Sequence, residues 1–199
     1  MARLDHDQQL LTATLLVVGA RGAGKTALLR TVRDRVPVSR HRQGSAGAAL
    51  TDPLLDWLSL DLGTIGGWQV HVDLFAVSGS RNYDATRRLL LAEADGLLLL
   101  ADSQAARLDD NAAAFRALTE QLVDREGAVR DLPRVFCWTK QDLPEELILS
   151  PDALRDALNR HGAPAFATAA LKGEGVLEAL HALVTLVMRR LAPARAPRS

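Results

Sequence analysis

The stretch Gly19-Ala20-Arg21-Gly22-Ala23-Gly24-Lys25-Thr26 holds every fixed position of a G-x-x-x-x-G-K-[S/T] loop. Residues of these types at this spacing cradle phosphate. Glycines let successive backbone N–H groups turn inward around one phosphate. A lysine ammonium reaches the neighbouring phosphate oxygens as a compact charge, and a threonine hydroxyl can ligand Mg²⁺. A helix starting at the loop aims the positive end of its dipole at the same group. The binding stretch is therefore read as Gly19 to Ala27, with Lys25 on the outer phosphates and Thr26 also as the metal ligand.

A second polar cluster, Thr139-Lys140-Gln141-Asp142, directly follows the apolar run "RVFCW". A carboxylate at Asp142 can accept two hydrogen bonds from the N1–H and 2-amine of guanine. Adenine offers neither donor and would leave the carboxylate unpaired, a rejection on the order of 10⁴-fold. The stem of Lys140 can lie over the base plane, and Thr139 belongs to the same cluster. In "AALKGEGV" (169–176) the backbone N–H of Ala170, with Leu171 as neighbour, is the candidate donor to the base O6. The chain has 21 arginines and only three lysines, and those three, Lys25, Lys140 and Lys172, all fall in these loops. On a solvated surface the two cations are nearly exchangeable, but a compact ammonium at a phosphate is not replaceable by a guanidinium.

These loops need strands and helices to hold them, and periodicity supplies them in alternation. Leu10 to Val18 reads as a buried strand and Thr26 to Val36 as a helix stopped by Pro37. Ser39 to Ala49 reads as a mobile loop. "WLSLDL" (57–62) and "WQVHVDLFAV" (68–77) are strands joined through "GTIGG", a hairpin. Then follow a helix in "YDATRRLLLAEA", the buried strand "GLLLLAD", a helix in "DDNAAAFRALTEQLVDR", the strand "RVFCW" and a helix from Pro151 to Asn159. The short strand "PAFATA" and a last helix striped by Val176, Leu180, Val184, Val187 and Leu191 complete the order. The expected architecture is α/β. It is a single three-layer P-loop NTPase (G) domain, with a mostly parallel sheet, one antiparallel edge hairpin and helices on both faces. Residues 1–9 are read as an N-terminal extension, 10–191 as the domain and 192–199 as a disordered Pro/Arg-rich tail.

With 199 residues, 48% of them hydrophobic, the chain can bury one full core. Twenty-four basic and 24 acidic residues leave no net charge, so general attraction to nucleic acid or a membrane surface is not expected. Arg3 followed by "LLTATLLVVGA" has the outline of a short secretory signal, but Asp5 and Asp7 spoil its basic start and the run leads into a glycine loop. No apolar run reaches the roughly 20 residues of a membrane span. The lone Cys137, inside "VFCW", fits a reducing cytosol and a buried packing role. His6, His41, His71, His161 and His181 have no ligand spacing. A cytoplasmic location is expected.

Taken together with "DWLSLDLG" (56–63), "YDATRRLLLAEADGLLLLADS" (83–103), "TKQDLPEE" (139–146) and "GEGV" (173–176), the motifs make the chain resemble the small Ras-like GTPases, and most closely the bacterial mutual gliding-motility protein A (MglA) group. The likeness covers Leu10 to Leu191. It implies a guanine-nucleotide switch binding GTP or GDP with Mg²⁺, polarity or motility roles, effector proteins and a roadblock-type activating partner.

The departures fall in the switch regions. Ras-like proteins carry D-x-x-G at the end of the third strand, where the Asp holds Mg²⁺ through water. Here the glycine is Gly79, read as a nucleotide-binding residue, and three positions earlier stands Ala76, where the MglA group usually has threonine. The next position, normally the glutamine that orients the attacking water, is Ser80, the candidate catalytic residue; "PGQ" has become "SGS". The first switch, a threonine-acidic stretch ending in "RTLFFD" in the group, reads "GAALTDPLLD" (47–56). The expected threonine falls near Gly47 and the arginine at Thr51, with Thr51 or Ser45 as possible substitutes. Asp73 has the spacing of a structural strand residue, and Asp102, in a Walker-B-like run, that of a loop cap beside Ser103.

An intact Ras-type site hydrolyses GTP on the order of 10⁻⁴ s⁻¹ unaided, and a supplied arginine raises that about 10⁵-fold. A slower rate is expected here. The expected function is a guanine-nucleotide switch whose slow hydrolysis depends on a partner. The alternative is a pseudo-GTPase that holds GTP or GDP as a structural ligand and acts as an interaction module. An ATP-using kinase or transferase is a third class, against which Asp142 argues.

Overall fold

A computed structural model describes residues 3–5, 7–36, 55–77, 84–123 and 132–191. Strands and helices alternate along them: β1 (Arg3–Asp5), β2 (Leu10–Gly19), α1 (Lys25–Arg35), β3 (Leu55–Ile65), β4 (Trp68–Val77), α2 (Asp84–Glu93), β5 (Gly96–Asp102), α3 (Leu108–Val123), β6 (Arg134–Thr139), α4 (Pro151–Leu158), β7 (Ala165–Ala167) and α5 (Val176–Leu191). The sheet runs β3-β4-β2-β5-β6-β7, with β1 paired to the start of β2. From β4 to β7 every neighbour is parallel; β3 is antiparallel to β4 and β1 to β2. This is the three-layer α/β/α arrangement expected, with an edge hairpin and helices on both faces.

Alternation within each strand divides the core in two. Leu11, Ala13, Leu15 and Val17 of β2, Val70, Val72 and Leu74 of β4, and Leu98 and Leu100 of β5 meet α1 and α5. Leu16, Val18, Val77, Leu97 and Leu99 meet α2, α3 and α4 on the other face. Every residue of β5 is buried, which is why its sequence reads as an unbroken apolar run.

The hairpin is longer than its apolar pattern. β3 continues past Leu62 through an irregularity between Asp61 and Thr64, with Gly63 at φ 70°. The turn itself is only Gly66-Gly67, at φ 59° and 87°, the pair of positive angles that a tight two-residue hairpin requires. Arg3–Asp5, inside the stretch read as an extension, is a strand because Arg3, Leu4 and Asp5 pair with Thr12, Leu11 and Leu10 below the point where β5 begins. The expected loop at 39–49, the tail at 192–199, and Ser45, Gly47, Thr51, Gly79 and Ser80 lie outside the described residues.

Cys137 is fully buried, and burial pushes its thiol up to about 12, so it stays protonated packing material.

Candidate functional site

Three loops leave the C-terminal ends of the parallel strands β2, β6 and β7, the edge where open α/β sheets bind ligands. The first is the phosphate loop. Gly19 sits so close to β5 that a Cβ would lie 2.5 Å from the Leu100 carbonyl oxygen, which excludes any larger residue. Gly22 and Gly24 both hold positive φ, 81° and 96°, and Gly24 is the N-cap of α1. The first intrahelical bond runs from Leu28 N–H to the Gly24 carbonyl, leaving the N–H groups of Lys25, Thr26 and Ala27 without helical partners. Ala23 is buried and its N–H donates to the Ala20 carbonyl at 3.2 Å.

The Lys25 ammonium donates to the Gly19 and Ala20 carbonyls at 2.9 Å each, so it is held across the loop. Burial, and then the charge of Arg87 on α2, lower its pKa to about 8. An anionic phosphate beside it would oppose both effects. On the α2–α3 side of the loop lies a cleft of about 1140 Å³ whose lining includes Gly19, Arg21, Arg87, Arg88 and Arg107. None of Thr139, Lys140 and Asp142 lines it.

The Thr26 hydroxyl donates to Asp56 Oδ2 at 2.6 Å. Asp56 is the second residue of β3 and is paired directly with Ala76 of β4. Directly paired residues share a face. Asp56 thus places a carboxylate on the same side of the sheet as Ala76, where α1 begins. Asp73 belongs to the other face, out of phase with Val72 and Leu74. A hydroxyl and a carboxylate are hard oxygen donors of the kind Mg²⁺ prefers when it is shared with phosphates. The residues therefore fit the ion: Thr26 and Asp56 would hold it, and it would neutralise phosphate charge. Among the described residues no group of three His, Cys, Asp or Glu side chains forms a self-sufficient metal site.

The second loop carries the base cluster. Thr139 is buried, and its hydroxyl lies 3.0 Å from the Ala23 carbonyl and 3.1 Å from that of Ala101. It joins the base loop to the phosphate loop and to β5. Lys140 takes φ 62°, a left-handed backbone unusual outside glycine. Its ammonium is 2.6 Å from Asp102 Oδ2. Asp102 is 1% exposed; its carboxylate also accepts from the Gln104 backbone N–H at 3.1 Å, and Asn111 clasps its backbone through bonds of 3.1 and 2.8 Å. Asp102 therefore anchors Lys140 and caps the turn after β5. Gln141 donates to the Ser103 hydroxyl at 2.6 Å, fixing the same loop. Asp142 is half-buried and makes no hydrogen bond or ion pair among the described residues.

The third loop follows β7. The N–H groups of Ala170 and Leu171 donate to no other described residue, and the Leu171 side chain is 86% exposed. Arg21 is tied to the far side of the phosphate loop, its carbonyl accepting from Arg107 at 2.7 Å. Asp56 is the contributor that spacing did not single out. Its run was part of the resemblance, but its place beside Thr26 depends on strand register.

No protein-family model matches the chain. The mutual gliding-motility protein MglA of Myxococcus xanthus is 28% identical to it over 193 residues, 96% of this chain and 98% of that protein. The Ras-related protein Rab-27A of Rattus norvegicus is 26% identical over 130 residues, 65% of this chain and 57% of that protein. The human Ras-related protein Rab-27B is 28% identical over 127 residues, 62% of this chain and 55% of that protein. With the likeness to MglA running nearly end to end, and with this order of strands and loops, the chain is related to MglA and has the fold of the Ras-like small GTPases.

Proposed function

We propose that the protein is a guanine-nucleotide switch that binds GTP and GDP with Mg²⁺, hydrolyses GTP slowly and depends on a partner to supply catalytic groups. The observation that carries this reading is the Thr139 hydroxyl, set between the carbonyls of Ala23 and Ala101. It couples a loop built for phosphates to a loop whose Asp142 is free to pair with guanine. In this reading Lys25 meets the outer phosphates, Thr26 and Asp56 hold Mg²⁺, and Asp142 selects the base while Ala170 and Leu171 address its O6. By sequence position alone, Gly79 matches the glycine of the D-x-x-G pattern and Ser80 the place of the water-orienting glutamine. The partner is a roadblock-type activator, effectors read the loaded form, and the process is bacterial cell polarity or gliding motility, in the cytoplasm. Among the described residues no helix is long and apolar enough to cross a membrane.

Ala76 favours a second reading. It is buried at 3% exposure and brings no oxygen to the metal side. With Ser80 too short to replace a glutamine, the protein would hold GTP as a structural ligand and act as an interaction module. The two readings separate when purified protein is loaded with GTP and Mg²⁺, freed of excess nucleotide and its bound nucleotide identified by chromatography. GDP above a Lys25→Ala control supports the switch. Intact GTP supports the module. Loss of neither species in the Lys25→Ala control refutes both.

A further inference from the structure

Helix α1 touches the site twice. Its first turn carries Lys25 and Thr26. One face of its second half, Thr31 and Arg35 at the i, i+4 spacing, reaches the loop between β7 and α5. The Thr31 hydroxyl has two carbonyls in reach, that of Ala27 one turn back at 3.0 Å and that of Ala170 at 2.6 Å, the shorter contact going to the loop, and Arg35 Nη2 donates to the Lys172 carbonyl at 2.6 Å. The guanidinium lies flat enough against Gly173 that a Cβ there would fall 2.0 to 2.2 Å from Arg35 Cζ, Nε and Nη2. The loop also closes on itself, with Ala169 and Glu174 exchanging bonds of 3.0 and 3.2 Å and the Gly173 N–H donating to the Ala170 carbonyl at 3.0 Å.

The Ala170 carbonyl and the Leu171 N–H belong to one planar trans peptide and point in opposite directions. Holding that carbonyl toward α1 turns the Leu171 N–H away from the helix and fixes its direction. Arg35 pins the next stretch of the same loop. We propose that Arg35, with Thr31, is a positioning residue that presets the β7–α5 loop for the base O6 and so governs how long a bound guanine nucleotide stays. The inference rests on the guanine-nucleotide reading given above. Arg35 touches no base; it acts through the peptide planes of Ala170 to Gly173.

The test is the release of fluorescently labelled GDP from full-length protein, chased with excess GDP, for wild type, Arg35→Ala, Arg35→Lys and Thr31→Val. Release should speed by about tenfold in Arg35→Ala, the scale of one lost charge-assisted hydrogen bond. Thr31→Val should follow in the same direction, and Arg35→Lys, which can still donate to the Lys172 carbonyl, should recover part of the loss. Competition with 2-aminopurine riboside diphosphate, which lacks O6, supplies a readout that general loosening would not spare: its affinity should be the same in wild type and Arg35→Ala. Wild-type release rates in Arg35→Ala and Thr31→Val overturn the inference, as does an equal loss for the ligand lacking O6. Wild-type protein that retains no labelled GDP overturns the nucleotide reading itself, and the inference with it.

Discussion

Lys140 and Asp102 form an unequal pair, and the inequality gives a sharp expectation. Asp102 is 1% exposed while the Lys140 side chain is 33% exposed, with 2.6 Å between ammonium and carboxylate. Replacing Lys140 with methionine strands a buried carboxylate whose remaining partners are Gln104 and, at 3.8 Å, Arg107. Breaking a buried pair in this direction costs about 3 kcal/mol. Replacing Asp102 with asparagine leaves an ammonium that can swing to water and keeps an acceptor for the Gln104 N–H, so about 1.5 kcal/mol is expected, a value discounted for the exposure of Lys140. In the double variant no charge is left behind, and the loss should return to about 1.5 kcal/mol. Asp102→Asn should thus stabilise the Lys140→Met protein although it destabilises the wild type. Urea unfolding of the four proteins, followed by far-ultraviolet circular dichroism, gives the cycle directly. Losses that simply add would refute the idea that the carboxylate is buried on account of the lysine.

Asp142→Asn should lower the preference for guanine over adenine nucleotides by about 100-fold or more in competition binding, because an amide oxygen cannot accept from both guanine donors as a carboxylate does. Asp56→Asn should leave the base preference intact and raise the Mg²⁺ concentration needed for half-maximal nucleotide retention by about tenfold, read by titrating Mg²⁺ against labelled GDP. Ser80→Gln should raise single-turnover GTP hydrolysis by about tenfold if the rest of the site is competent. Leu98→Ala, in the centre of the fully buried β5, should cost about 3 kcal/mol in urea unfolding.

The phosphate loop and β5 could be read from the chain because each is a local demand. Gly24, Lys25 and Thr26 must be neighbours to do their work, and a strand buried on both faces must be apolar throughout. The limits of β3 were less legible. Its last three residues, Gly63 to Ile65, have no alternation of their own and are strand only because β4 is beside them. β1 is likewise a strand only because β2 is beside it. Asp56 escaped notice because its value depends on register: one residue of slip between β3 and β4 would turn its side chain to the other face and remove it from Thr26. The links from Thr31 and Arg35 join residues 137 or more positions apart in sequence, which no local pattern encodes.

Thr139 offers a single proton to two carbonyls, those of Ala23 and Ala101, at nearly equal distance. A hydroxyl has one donor, so the proton is either shared weakly or alternates between the phosphate loop and the central strand. An asparagine amide in the same place would carry two donors and could serve both carbonyls at once, clamping the two loops together. The native hydroxyl can serve only one carbonyl fully at a time, and moving from one to the other takes rotation about one bond, with no heavy atom displaced. The phosphate loop, the base loop and the central strand thus meet at one hydroxyl.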